Sequence, residues 1–159
     1  MINFKKILLP IDFSPVSPVL APYAKTVAQK FDAEVHLLFV ARDLSHFIQI
    51  DVSVDSVERC QSELVKGAQR GMKEFVNTHF PDYPRVKTAV VTGDATEKIL
   101  EYARTEGIDL VVLGTHGRKG MERAIFGSVA ERVIMSSPLP VLVVNPFKAQ
   151  IEAEATAES

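Results

Sequence analysis

Ile108-Asp109-Leu110-Val111-Val112-Leu113 runs directly into Gly114-Thr115-His116-Gly117-Arg118-Lys119-Gly120-Met121-Glu122-Arg123-Ala124-Ile125-Phe126-Gly127-Ser128. The first six residues form a short, nearly continuous apolar run, the pattern of a parallel strand buried on both faces. The glycines after it stand in the frame G-x2-G-x9-G-[ST]. Glycine lets a backbone approach an anion closely, and the free N–H groups of a helix start point at it. A strand that turns through glycine into a helix therefore suits a phosphate. At about 7% glycine usage, three glycines in a fixed frame arise by chance in roughly one chain in twenty of this length. The Ser or Thr requirement lowers that to below about one in a hundred, so the signal is specific.

Outward from this segment, five β-like runs alternate with four helical ones. The runs are Phe4 to Ile11, Glu34 to Ala41, Val86 to Thr92, Asp109 to Leu113 and Val141 to Asn145. The second, fourth and fifth are rich in Val and Leu, as buried parallel strands are. A first helix is expected over Val19 to Phe31, with Leu20, Tyr23, Ala24, Val27, Ala28 and Phe31 on one stripe. Because Pro22 is tolerated only in a first turn, that helix should begin no earlier than about residue 18. A long second helix is expected from Ser53 to His79, stopping before Pro81 and Pro84. Asp94-Ala95-Thr96-Glu97 and Ser128-Val129-Ala130-Glu131 read as capping boxes that open the third and fourth helices. Residues Asp43 to Val52 read as an irregular connection.

This alternation predicts an α/β fold: a doubly wound, open five-stranded parallel sheet with helices on both faces, Rossmann-like in class. The chain of 159 residues is one domain. We expect it to span residues 1–147, followed by a disordered tail over 148–159 that carries no apolar stripe.

Composition excludes several classes. With a net charge of −2 and no lysine- or arginine-rich block, a nucleic-acid footprint is absent. No apolar run approaches the length that spans a bilayer. The residues after Lys5 and Lys6 are too briefly apolar for a secretion signal. Cys60 is the sole cysteine, so no intrachain disulfide forms, which fits a reducing cytoplasm. A cytoplasmic protein is expected.

Open parallel sheets bind ligands beyond the carboxyl ends of their strands, where strand order reverses. In the order 3-2-1-4-5 that point lies between the first and fourth strands. Leu9-Pro10-Ile11-Asp12-Phe13-Ser14 and the glycine frame would then face one crevice. Asp12 could accept hydrogen bonds from a ribose or hold a divalent cation; the alternative is an Asp-x-Ser-Pro that caps the next turn. Arg118, Lys119 and Arg123 suit a polyphosphate, or a solvated loop paired with Glu122. Ser128 could cap the fourth helix or yield that position to a phosphate. Neither a Walker A loop nor a Gly-x-Gly-x-x-Gly fingerprint is present. His36 lies inside a strand and reads as packed. His46 and His79 lack partners at metal spacing, and His116 has no carboxylate in sequence to orient it. No catalytic residue stands out.

From Lys5 to Val144 the chain resembles the universal stress protein family. The carrying residues are Lys5-Lys6-Ile7-Leu8-Leu9-Pro10-Ile11-Asp12-Phe13-Ser14, Gly114-Thr115-His116-Gly117-Arg118, Gly127-Ser128-Val129-Ala130-Glu131 and Pro138-Leu139-Pro140-Val141-Leu142-Val143-Val144. The glycine frame is similar to the signature of the family's ATP-binding branch. The resemblance implies a sheet of order 3-2-1-4-5, of the adenine nucleotide alpha hydrolase-like kind, and a homodimer formed through the last strand. It implies that Pro10 and Asp12 border the adenosine, with Asp12 on the ribose, and that the backbone of Val40 meets the adenine. Gly114 would lie beside the ribose, and Gly117, Arg118, Gly127, Ser128 and Val129 would line the phosphates, with Mg²⁺ or Mn²⁺ bound there. The chain departs from the family's frequent Gly-x-Pro-Ala with Gly93-Asp94-Ala95-Thr96, and Pro22 is atypical. The leading expectation is an ATP-binding regulator of stress response with slow or no hydrolysis, since no base is placed to activate water. The alternatives are a nucleotide hydrolase or transferase using His116 and Asp12, or a dimeric module binding AMP or a cyclic nucleotide.

Overall fold

Alternate residues of β1 (Lys6–Pro10) serve opposite faces of the sheet: Ile7 and Leu9 join one core cluster and Leu8 another, all fully buried. The computed structural model describes residues 1–49, 52–115 and 127–158. β1 pairs in parallel with β2 (Glu34–Ala41) and β4 (Leu110–Gly114), while β3 (Val86–Thr92) and β5 (Val141–Val144) complete the order β3-β2-β1-β4-β5. Burial on both sides explains the unbroken apolar runs.

Connection handedness distributes the helices. The chain steps one way through β1, β2 and β3, so right-handed crossovers put α1 (Val16–Phe31) and α2 (Val54–His79) on one face. Leu20, Ala24 and Ala28 of α1 pack there with Met72 and Phe75 of α2. The chain then reverses, which puts α3 (Ala95–Thr105) and α4 (Ser128–Ser136) on the other face. Ile99, Ala103 and Val133 meet Leu8, Leu38, Val111 and Leu113 there. Each large side chain so buried contributes about 1.5–3 kcal/mol.

Three expectations are corrected. α1 begins at Val16, with Pro15 as its N-cap. Pro18 falls in the first turn, where no intrahelical donor is needed, but Pro22 lies inside the helix. Burial of Leu20, Ala21 and Ala24 on the sheet holds the helix through that proline. Ser128 is the first residue of α4 rather than its cap: Gly127 is the N-cap, and it has no side chain with which to bond the helix start. In place of a disordered tail the structure has a helix, α5 (Pro146–Ala157), lying against α1. Asn145 caps it by accepting from the N–H groups of Phe147 and Lys148, and Pro146 opens its first turn. A short 3-10 helix, Ser45–Gln49, lies in the connection read as irregular. The Asp94 cap is as expected, its carboxylate accepting the Glu97 N–H at 3.0 Å.

Candidate functional site

Proline decides where pairing between β1 and β4 ends. The N–H of Ile11 donates to the Leu38 carbonyl at 2.9 Å, so this residue of the chain turns toward β2. Backbone polar groups alternate sides along a strand, and Pro10 therefore turns toward β4. The register Leu8↔Val111 sets the Val112 carbonyl opposite the position where Pro10 would donate, and Pro10 has no N–H. Pairing between β1 and β4 accordingly stops at Leu8↔Val111. The neighbouring ladders continue, to Pro10↔Leu38 on one side and Gly114↔Val144 on the other. Hydrogen-bonded pairing of β1 with β4 thus ends short of their carboxyl ends, at the point where the strand order reverses.

Two loops border this opening. Past β1, Asp12 is half-buried, and its Oδ1 accepts the Ser14 N–H at 3.0 Å and the Ser17 hydroxyl at 3.1 Å. Ser17 Oγ accepts the Asp12 N–H in return at 3.2 Å. The turn-capping role weighed for Asp12 is thus present, and it fixes the carboxylate at the crevice. Phe13 takes a left-handed backbone, φ 58°, with its ring 4.8 Å from that of Phe39. Past β4, Thr115 is buried and its N–H donates to the Val144 carbonyl at 2.9 Å, extending the ladder by one residue. The Gly127 N–H donates to the Thr115 carbonyl, so the chain that leaves β4 re-enters at the same place to start α4.

The expected residues fall as follows. Pro10 ends β1 and Gly114 ends β4, both half-buried on adjacent strands at the opening. Val40, next to last in β2, is half-buried against the α3–α4 side of the core. Gly127, Ser128 and Val129 form the start of α4, tied to the end of β4 through Thr115. These residues are brought together along the carboxyl ends of three consecutive strands. Gly117 and Arg118 lie outside the described residues, as do His116, Lys119 and Arg123. Sequence reasoning missed Ser17 and Thr115; the spacing Asp-x-Ser-x-x-Ser was the available signal for the first.

The start of α4 bears backbone N–H groups that its N-cap, a glycine, has no side chain to bond, an arrangement suited to an anion. Across from it, Arg132 of α4 holds Asp94 at the start of α3 at 3.3 Å. The Glu97 N–H bond lowers the Asp94 pKa, burial opposes it, and Arg132 adds to the lowering. His36 is fully buried away from the opening, bonded to Glu34 at 2.6 Å and to the Tyr102 hydroxyl at 2.8 Å. Burial pushes the Tyr102 phenol up to about 12. His36 is thus a packed residue, as its place in a strand implied. Among the described residues no cluster of three His, Cys, Asp or Glu is arranged to hold a metal, and no helix is long and apolar enough to cross a membrane.

The model of the universal stress protein family matches residues 3–145. The chain belongs to the universal stress protein family. Universal stress protein MJ0531 of Methanocaldococcus jannaschii is 37% identical over 91% of this chain and 84% of its own. MJ0577 from the same organism is 31% identical, and its solved structure covers 91% of this chain and 97% of its own with a TM-score of 0.79. A family member solved in complex with cAMP covers 91% of this chain and 99% of its own at a TM-score of 0.59. At 18% identity that likeness shows the shared fold. The five-stranded order found here is thus the family's Rossmann-like sheet.

Proposed function

We propose that the chain binds ATP in the opening between β1 and β4 and acts as a nucleotide-dependent regulator in stress response, in the cytoplasm. The observation that carries this reading is the end of β1–β4 pairing at Leu8↔Val111. It leaves a crevice at the sheet's switch point, the place where open α/β sheets take nucleotides. Asp12, held by Ser14 and Ser17, stands where a ribose would be recognised. The glycine-capped start of α4, reached through the Gly127–Thr115 bond, offers its N–H groups to the phosphates in this reading. Gly117 and Arg118 complete the phosphate site in this reading, with Mg²⁺ or Mn²⁺ neutralising the remaining charge.

Hydrolysis is slow in this proposal, because the Asp12 carboxylate is engaged in holding its own loop rather than poised over a water. A second reading, with AMP or a cyclic nucleotide as ligand, draws on the family member solved with cAMP. One experiment separates them. Ligand released from the purified chain is identified by mass spectrometry, and calorimetry then compares ATP, AMP and cyclic AMP. Preference for ATP that is lost in both Gly117→Val and Gly127→Val supports the first reading. Equal affinity in those variants, or tighter binding of cyclic AMP, sinks it.

A further inference from the structure

Among the described residues, one buried side-chain polar atom has no hydrogen-bond partner: the hydroxyl of Thr96, a residue only 4% exposed. Native structures rarely bury a hydroxyl in this way, because nothing replaces the water it gives up. Its direction follows from helix geometry. Thr96, Ile99 and Ala103 are the buried residues of α3, spaced three and four apart, and so form one stripe facing the sheet. Ile99 and Ala103 fill that stripe against Leu38 of β2. Thr96 lies one turn nearer the start of α3, at the carboxyl edge. Val40, two residues beyond Leu38 and on the same face of β2, packs against the same cluster. Thr96 therefore stands on the sheet-facing side of α3, on the same face of the sheet as Val40.

The helix start that carries it is fixed. Asp94 caps α3 through the Glu97 N–H and is gripped by Arg132 from α4. Gly93 enters with φ 146°, a conformation open to glycine, and donates to the Ala41 carbonyl at 3.0 Å. At this fixed helix start the buried hydroxyl has no partner among the described residues.

We propose that Thr96 is a base-recognition residue whose hydroxyl bonds the polar edge of the purine beside Val40. This rests on the nucleotide reading above. A threonine hydroxyl both donates and accepts, so it suits a ring nitrogen or an exocyclic amine. The test is ATP calorimetry and thermal melting on the full chain as wild type, Thr96→Val and Thr96→Ser. Valine keeps the shape and removes the hydroxyl. It should weaken ATP binding about fivefold to tenfold, the equivalent of one neutral hydrogen bond. Melting of the ligand-free Thr96→Val chain should be unchanged or higher, since an unpartnered group is gone, and Thr96→Ser should keep ATP affinity within about twofold. Unchanged ATP affinity in Thr96→Val overturns the proposal alone. So does a loss accompanied by a lower melting temperature, or one that serine fails to restore. Absence of ATP binding by the wild type overturns this proposal and the nucleotide reading together.

Discussion

Asp12 does two things with one carboxylate oxygen: it accepts a backbone N–H from Ser14 and a hydroxyl from Ser17. Asp12→Ala should therefore cost about 1–3 kcal/mol of stability in urea denaturation, and at least about tenfold in ATP affinity if the carboxylate also meets a ribose. Stability loss with ATP affinity intact would confine Asp12 to its turn. Asp94 gives a pH-dependent counterpart. Its folded pKa lies below the ordinary 3.8, so its contribution is complete above that value and fades as pH falls through the lowered one. Asp94→Ala should cost about 0.5–2 kcal/mol at neutral pH through loss of the cap. The difference from wild type should shrink in acid, and a difference constant down to about pH 2 would contradict the linkage. At this scale the sequence was informative wherever a short local pattern carries its own geometry, as in Asp94-x-x-Glu97. Thr96 was visible only as a departure from Gly-x-Pro-Ala, because burial of its hydroxyl depends on how α3 meets β2.

Elements were legible in proportion to how much tertiary burial they needed. β2 and β3 have the expected bounds because their apolar runs end at turns that no partner alters. The start of α1 was misjudged because Pro22 argues locally against a helix that the sheet holds from the other side. The Asn145-Pro146 start of α5 is a local signal, outweighed in the sequence reading by the absence of an apolar stripe. At α4 the glycine, not the serine, took the extended cap conformation. Pro22 is exposed and lacks the donor that would meet the Pro18 carbonyl. Pro22→Ala should consequently raise the melting temperature, by a stabilisation of about 1 kcal/mol after the looser unfolded chain is counted. A lower melting temperature would show that the helix has bent around the proline and uses the bend.

For the whole molecule, the order of strands leaves β5 at an edge, with Val141, Leu142 and Val143 only half-buried within one chain. An apolar edge of this kind is a template for a second copy. We expect a homodimer through β5 in light scattering, and a monomer in Val143→Arg with unchanged circular dichroism. A wild-type monomer at high micromolar concentration rules that pairing out. The core clusters run past the last paired rung of β1 and β4, Leu8↔Val111, through Leu9 and Ile11 on one strand and Val112 and Leu113 on the other. The end of that pairing traces to a single missing proton, on the nitrogen of Pro10. Pro10→Ala would return it, let the Val112 carbonyl be met, and allow the two strands to zip one rung further. Such a chain should melt later and hold its nucleotide less well: the imino acid acts as a wedge, and what is lost in cohesion at that rung is the room the ligand occupies.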